Sequence, residues 1–402
     1  MNEENMLDIE EIIENEENDL QIDREKFDQA VIWGTDWTTE TIARQLEKGN
    51  IDLNPTFQRR DAWTNQEKSK LIESLILGLP VPPIILAENK KKKNSYIVID
   101  GKQRLLSIRR FFSKKDGSDN AFNVLKLSGL EILKELNGKS ISDLESEMSE
   151  YISSLENQSI RTIVIKNWPD EAFLYTVFLR LNTGSKKLSS QELRQALKPG
   201  PFLDYLDDAT AESKAMMKML NNKRADSRMK DIELALRYYA FKFNIEFYKG
   251  NLKNFLDNTC EKLNKSWNES KDVYQQEFVN LEKAIDFSYE IMGTGSPFSR
   301  YTKKKSNNRF NRSIFELFSF YFSDKEIRKL VLQNKDIFVR KFIALNDDIE
   351  FVSAISDTAK EIKRVCIRFT KFSDLLHDIC GNDRVNIRTL ISDSDGIKIK
   401  YH

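Results

Sequence analysis

Histidine is almost missing from this chain, which holds only His377 and His402. Zinc sites built on histidine pairs, Ser-His-Asp triads and His-Asn-His nuclease sites all need more imidazoles, or better placed ones, so these chemistries are set aside. His377 closes the amphipathic stretch Phe372-Ser-Asp-Leu-Leu-His377 and reads as a helix-surface or core residue rather than a catalytic base. Cysteine is sparse too. Cys260, Cys366 and Cys380 show no Cys-x-x-Cys spacing, so they suggest no metal site and fit a reducing cytoplasm. Long apolar runs are lacking: Leu75 to Ala87 is broken by Pro80, Pro82 and Pro83, and no basic region followed by an apolar stretch marks a signal peptide, so no membrane association is expected. An excess of either charge is also absent, at 63 basic and 63 acidic residues, but the balance is uneven along the chain. Residues 1–30 hold 12 acidic and two basic residues, which leaves 61 basic and 51 acidic residues in 31–402, a body of net charge +10. Such a body suits a polyanion, nucleotide or nucleic acid, while a solvated disordered tail on an ordinary surface explains the asymmetry equally well.

What is present falls into two patterns. Residues 1–30 read as an acidic disordered tail. From 31 to 200, short apolar runs of strand length alternate with helical stretches. Thr38 or Thr39 can cap a helix carrying Ile42 and Leu46, stopped at Gly49. Ile51-Asp52-Leu53 is a strand candidate. Thr64-Asn-Gln-Glu67 forms a capping box ahead of Leu71, Ile72, Leu75 and Ile76. Ile84–Leu86 and Tyr96–Ile99 are strands joined by the solvated tip Lys90 to Asn94. Residues 113–158 are polar and poorly periodic, with one helix expected near Gly129 to Leu136. Arg161 to Ile165 is a strand and Asp170 to Leu181 a helix. Ser189-Ser-Gln-Glu192 is a second capping box, with Leu188 as its staple. Residues 201–385 carry almost pure helical periodicity, and 386–402 read as a C-terminal tail. Alternating elements followed by helices alone predict an α+β chain: an α/β domain, then an all-α domain.

Three segments could bind an anion. In Asp100-Gly101-Lys102-Gln103-Arg104 a strand delivers the chain to a tight turn that opens a helix. The first N–H groups of that helix lack intrahelical partners, the dipole favours negative charge, and Lys102 and Arg104 add two cations. An ordinary turn with surface charges is the competing reading. Asn54-Pro-Thr-Phe-Gln58-Arg59-Arg60 offers two guanidinium groups that can fork onto phosphate. Arg180-Leu-Asn182-Thr183-Gly184-Ser185 precedes the Ser189 helix, and there Asn182, supported by Glu192, could coordinate a hard cation or bond a phosphate. Helix caps and solvated loops account for the same residue types. Farther on, Arg300, Lys303, Lys304, Lys305, Arg309 and Arg312 place six cations beside Tyr301 and Phe310, a pattern able to follow a nucleic-acid backbone or to form a solvated loop before a helix.

The order of these motifs resembles the N-terminal domain family of GmrSD-type restriction enzymes. The resemblance rests on Asn54-Pro-Thr-Phe-Gln-Arg-Arg, Leu71-Ile-Glu-Ser-Leu-Ile-Leu-Gly-Leu-Pro-Val-Pro-Pro, Ile99-Asp-Gly-Lys-Gln-Arg-Leu and Phe178-Leu-Arg-Leu-Asn-Thr-Gly-Ser followed by Leu-Ser-Ser-Gln-Glu-Leu-Arg. Arg228 to Arg237 and Gly250 to Asp257 look like the family's helical extension. The resemblance implies a ParB/sulfiredoxin-like fold for 31–200. It also implies a bound nucleoside triphosphate, with Gln58, Arg59, Arg60, Gly101, Lys102, Arg104, Asn182, Thr183 and Gly184 on the phosphates. Magnesium would sit with Asp100, Asn182 and Glu192, and Asp100 and Gln103 would act if hydrolysis occurs. The family signature is Asp-Gly-Gln-Gln-Arg, and Lys102 replaces its first Gln. ParB's Glu-Asn-x-x-Arg segment is met here by Leu181 and Ser185 at its charged positions, which weighs against efficient hydrolysis. Members that cut DNA carry a His-Asn-His nuclease domain, for which this chain has neither the length nor the histidines. The expected function is therefore a nucleotide-dependent switch in prokaryotic anti-phage defence or DNA restriction, contacting DNA or a nearby-encoded partner protein, with a homo-oligomer left open. The alternatives are a DNA-binding module without nucleotide turnover and a nuclease subunit completed by a partner.

Overall fold

The computed structural model describes residues 28–51, 53, 60, 62–113, 123–181, 189–293, 295–302, 305–306, 309–356, 359–381, 387–393 and 396–401. The chain is α+β and divides into two compact units, one within Leu20–Leu197 and one within Lys198–His402.

The first unit is built on a four-stranded mixed sheet of order β1-β4-β2-β3, with β1 at Val31–Thr38, β2 at Ile84–Glu88, β3 at Tyr96–Asp100 and β4 at Ser159–Lys166. β1 runs antiparallel to β4, β4 parallel to β2, and β2 antiparallel to β3. The sheet's two faces follow from side-chain alternation. Ile85, Ala87, Ile99 and Ile165 turn to one face, where they pack with Trp168, Phe173, Leu174 and Phe178 and with Leu193 and Leu197. Trp168 lies just before α6 (Glu171–Leu181), and the others come from α6 and α7 (Ser190–Leu197). Helices α1 (Thr39–Glu47), α2 (Asn65–Ile76), α3 (Lys102–Phe111) and α5 (Ser149–Asn157) form a second group that packs together.

Local chemistry sets the element boundaries. Thr38 caps α1 by accepting from the Thr41 amide at 3.2 Å. The Thr64 capping box closes both ways, with the Glu67 carboxylate accepting the Thr64 amide at 2.8 Å and Thr64 Oγ1 accepting the Glu67 amide at 3.2 Å. Four features depart from the sequence reading. β1 was not foreseen, because Val31, Ile32 and Trp33 lie exposed on an edge strand and leave no alternating pattern. The expected helix near 129–136 is only a single 3-10 turn at Lys134–Leu136. Two helices in the stretch read as non-periodic, α4 (Ile141–Glu147) and α5, each bury just two side chains, too few to register as a period. Ile51 contributes one parallel bridge to Tyr96 rather than a strand.

The second unit is mostly helical, from α8 (Pro201–Glu212) and α9 (Lys214–Met219) through α10 (Lys230–Asn244), α11 (Leu252–Lys265), α12 (Trp267–Met292), α13 (Arg312–Phe322), α14 (Lys325–Gln333), α15 (Lys335–Leu345) and α16 (Ile349–Ser356) to α17 (Ile362–Cys380). Its centre is aromatic, with Phe318 packed on Phe322 and Phe342 at 5.0 Å between ring centroids. A buried ion cluster joins α10, α13 and α17: both carboxylate oxygens of Glu316 are taken, Oε1 by Arg237 Nη1 at 3.0 Å and Oε2 by Arg368 Nη2 at 2.6 Å. The unit is not purely helical: β5 (Tyr301–Thr302) and β6 (Lys305–Ser306) pair between α12 and α13. Residues 386–402, expected as a tail, contain a hairpin of β7 (Arg388–Asp393) and β8 (Gly396–Tyr401). It is anchored by buried Ile387, Leu390 and Ile397, and Tyr321 Oη donates to the Arg388 carbonyl at 2.7 Å.

Candidate functional site

The site is the point where β3 becomes α3. Ile99 is buried in the sheet and delivers Asp100 to the turn. Gly101 follows at φ +98°, a conformation that L side chains rarely adopt, and a Cβ there would meet Arg104 Nη2 and Ile84 Cγ1 at 3.2 Å. The position therefore calls for glycine on both conformational and steric grounds. Gly101, the N-cap residue, has no side chain to cap α3, and the first intrahelical bond is the Leu105 amide to the Gly101 carbonyl at 2.9 Å. The start of α3 is thus without an N-cap side chain, and the helix dipole favours an anion there.

The charged side chains of the turn are held in place. Arg104 Nη2 bonds Asp100 Oδ2 at 2.8 Å and donates to the Pro83 carbonyl at 3.0 Å, so one guanidinium nitrogen pins the turn to the segment before β2. Lys102 is not a surface cation. Its ammonium meets Glu192 Oε1 at 3.2 Å, and the two side chains are 7% and 5% exposed. Glu192 Oε2 accepts the Ser189 amide at 2.7 Å and Ser189 Oγ accepts the Glu192 amide at 3.1 Å, so the second capping box forms and its carboxylate also clamps Lys102. One residue thereby starts α7 and ties it to the first residue of α3.

α7 is amphipathic in an uncommon way. Leu193 and Leu197 enter the core on one side, while Gln191, Glu192 and Gln195 share the opposite arc, and all are buried. Gln191 Oε1 accepts from Arg194 Nη1 at 2.7 Å. Gln191 Nε2, Gln195 Oε1, Gln103 Oε1 and Arg104 Nε are buried without a hydrogen-bond partner among the described residues. A buried polar atom left unbonded costs on the order of 1–3 kcal/mol, so such atoms are rare and cluster where function asks for them.

The structure brings together Asp100, Gly101, Lys102, Gln103, Arg104 and Glu192. Gln58, Arg59, Asn182, Thr183 and Gly184 lie outside the described residues, and Arg60 is 1% exposed, an interior residue rather than an open fork for phosphate. The expected magnesium carboxylates Asp100 and Glu192 are each paired with a cation. Among the described residues no group of three or more His, Cys, Asp or Glu side chains could hold a metal ion. Gln191 and Gln195 escaped the sequence reading because a glutamine on an amphipathic helix ordinarily faces water, and only burial distinguishes these two. In the second unit, the basic segment forms a small hairpin, Tyr301–Thr302 against Lys305–Ser306. Arg300 Nη1 donates to Ser356 Oγ at 2.8 Å and Arg312 Nε lies 3.8 Å from Glu233, so the fold holds both, while Arg309 is exposed. Lys303, Lys304 and the side chain of Lys305 lie outside the described residues.

Residues 40–197 match the family described as the GmrSD restriction endonuclease, N-terminal domain. The match ends at residue 197, where the first compact unit ends, and the chain carries a domain of this family. The domain is thus restriction-related. No curated protein and no solved structure matches the chain. No helix among the described residues is long and apolar enough to cross a membrane.

Proposed function

We propose that the protein is a nucleotide-binding switch acting in prokaryotic DNA restriction or anti-phage defence, with a nucleoside triphosphate seated on the N-terminus of α3. One observation carries this reading: a helix without an N-cap side chain begins at a left-handed glycine, with Arg104 and the Lys102–Glu192 pair at its first turn. The amides of the first turn take the terminal phosphates. Arg104, already oriented by Asp100 and the Pro83 carbonyl, turns its remaining N–H groups to them. Magnesium enters with the nucleotide, carried by its phosphates, and Asp100, Asn182 and Glu192 are the residues that would support it. Gln103 would orient a water if the γ-phosphate is hydrolysed. Calorimetric titration with ATP, GTP and CTP, with and without magnesium, tests the reading. Binding by the wild-type chain and its loss in Arg104→Ala is the expected result, and equal binding by the variant overturns the site.

A second reading is a DNA-binding module without nucleotide turnover. It is favoured by the short hairpin of the second unit, whose register sets Lys305 opposite Thr302 in a strongly basic segment. In that case a Lys303/Lys304/Lys305→Ala variant binds DNA more weakly and with a shallower salt slope, and nucleotide has no effect.

A further inference from the structure

We infer that the buried amides of α7 read the nucleobase of the bound nucleotide, with Gln191 and Gln195 as the specificity-determining residues. This inference rests on the nucleotide reading above. A triphosphate at the start of α3 satisfies the helix amides, yet it gives no partner to the polar face of α7. That face starts from the same place: Glu192 bonds Lys102, the first residue of α3, and Gln191 and Gln195, one turn apart, share the arc of α7 that Glu192 borders. Both glutamines are almost wholly buried, at 0% and 4% exposure. Each leaves an amide atom without a partner among the described residues, Nε2 of Gln191 and Oε1 of Gln195, and Gln103 leaves Oε1 from the α3 side.

The orientation of Gln191 is fixed by chemistry. Arg194 can only donate, so the oxygen of the Gln191 amide must face it and the NH2 group must face away. Among its amides the α7 face therefore offers one set donor, Gln191 Nε2, and one further amide, Gln195, that can turn to present donor or acceptor. Adjacent donors and acceptors in one plane are what a base edge requires, and glutamine amides make such paired bonds. Phosphate cannot use them fully, because it accepts hydrogen bonds and donates none when ionised. An apolar ligand would leave them as unsatisfied as they are now. The same atoms are closed off from solvent, so a base that reaches them displaces the neighbours covering them. Base recognition and a change of conformation are then one event, which is the property a switch needs.

The experiment titrates the full chain with the four ribonucleoside triphosphates, the 2′-deoxy form of the tightest binder, and inorganic tripolyphosphate. Wild type, Gln191→Met, Gln195→Met and Arg104→Ala are compared, each first checked for its unfolding midpoint. Gln195→Met removes no hydrogen bond seen in the structure, so a folding failure is not expected to mask its result. The inference predicts that wild type prefers one base and that both glutamine variants lose roughly tenfold or more of that preference, while tripolyphosphate still separates wild type from Arg104→Ala. Wild-type binding with no base preference, or a preference unchanged in both glutamine variants, overturns the inference and leaves the nucleotide site standing. A loss equal for all four bases and dependent on the 2′-hydroxyl assigns the amides to the sugar and also overturns it. Failure of wild type to bind any of these ligands removes the nucleotide site itself, and the inference with it.

Discussion

Each unit of this protein buries a cluster of charged and polar side chains, and the two clusters are finished differently. In the second unit Glu316 gives one oxygen to Arg237 and one to Arg368, Arg237 also reaches Glu233 at 3.0 Å, and the Arg368 guanidinium donates to backbone carbonyls. Of that cluster's buried side-chain atoms only Arg368 Nε lacks a partner among the described residues. In the first unit the Lys102–Glu192 pair is also buried, but amide atoms of Gln103, Gln191 and Gln195, on the same two helices, lack a partner among the described residues. A closed network rigidifies and specifies a fold, whereas an open one costs stability and leaves groups for something else to bond. On the proposal made above, the open cluster of the first unit serves ligand binding and the closed one of the second unit serves architecture.

The largest effect belongs to the architectural cluster. Glu316→Ala strands two buried arginines and should destabilise the second unit by about 3–5 kcal/mol in denaturant unfolding, with little effect on ligand binding by the first unit. Equal destabilisation by Glu316→Ala and a double Lys102→Met/Glu192→Met replacement would erase the distinction. Gly101→Ala comes next. A left-handed residue with 3.2 Å contacts from Ile84 and Arg104 should cost about 1–3 kcal/mol and disturb the α3 turn. Ser189→Ala removes a helix cap and should cost about 1 kcal/mol. Gln195→Met has the opposite sign: replacing an unsatisfied amide by an apolar group should raise the unfolding free energy by about 1 kcal/mol while weakening ligand selection. A destabilised Gln195→Met would mean that the amide is structural. The smallest effect is on the cysteines. Burial pushes the Cys366 and Cys380 thiols up to about 11, so both should resist alkylation at pH 8 in the folded protein and react on unfolding.

Much of this division was legible in the sequence, for reasons that differ by residue. Both capping boxes, Thr64 to Glu67 and Ser189 to Glu192, are local and carry their own geometry, so the helices behind them were readable. The β3–turn–α3 step was readable because Gly101 follows an apolar strand and precedes a helical period. β1 and the β7–β8 hairpin were hidden, the first because its apolar residues face outward, the second because its buried Leu390 and Ile397 acquire meaning only once the hairpin packs on α17. The site was half legible. Lys102 and Glu192 were each singled out, but their pairing spans 90 residues and no spacing rule links them. The buried amides were invisible, because hydrogen-bond satisfaction is a property of three-dimensional packing.

Hydrogen–deuterium exchange of the first-turn amides of α3, with and without nucleoside triphosphate and magnesium, tests the central claim most directly. The account predicts slower exchange at Lys102, Gln103 and Arg104 on adding the nucleotide, and no slowing in Arg104→Ala. Unchanged exchange at these three amides while nucleotide is bound would contradict it, and would move the phosphate site away from this turn.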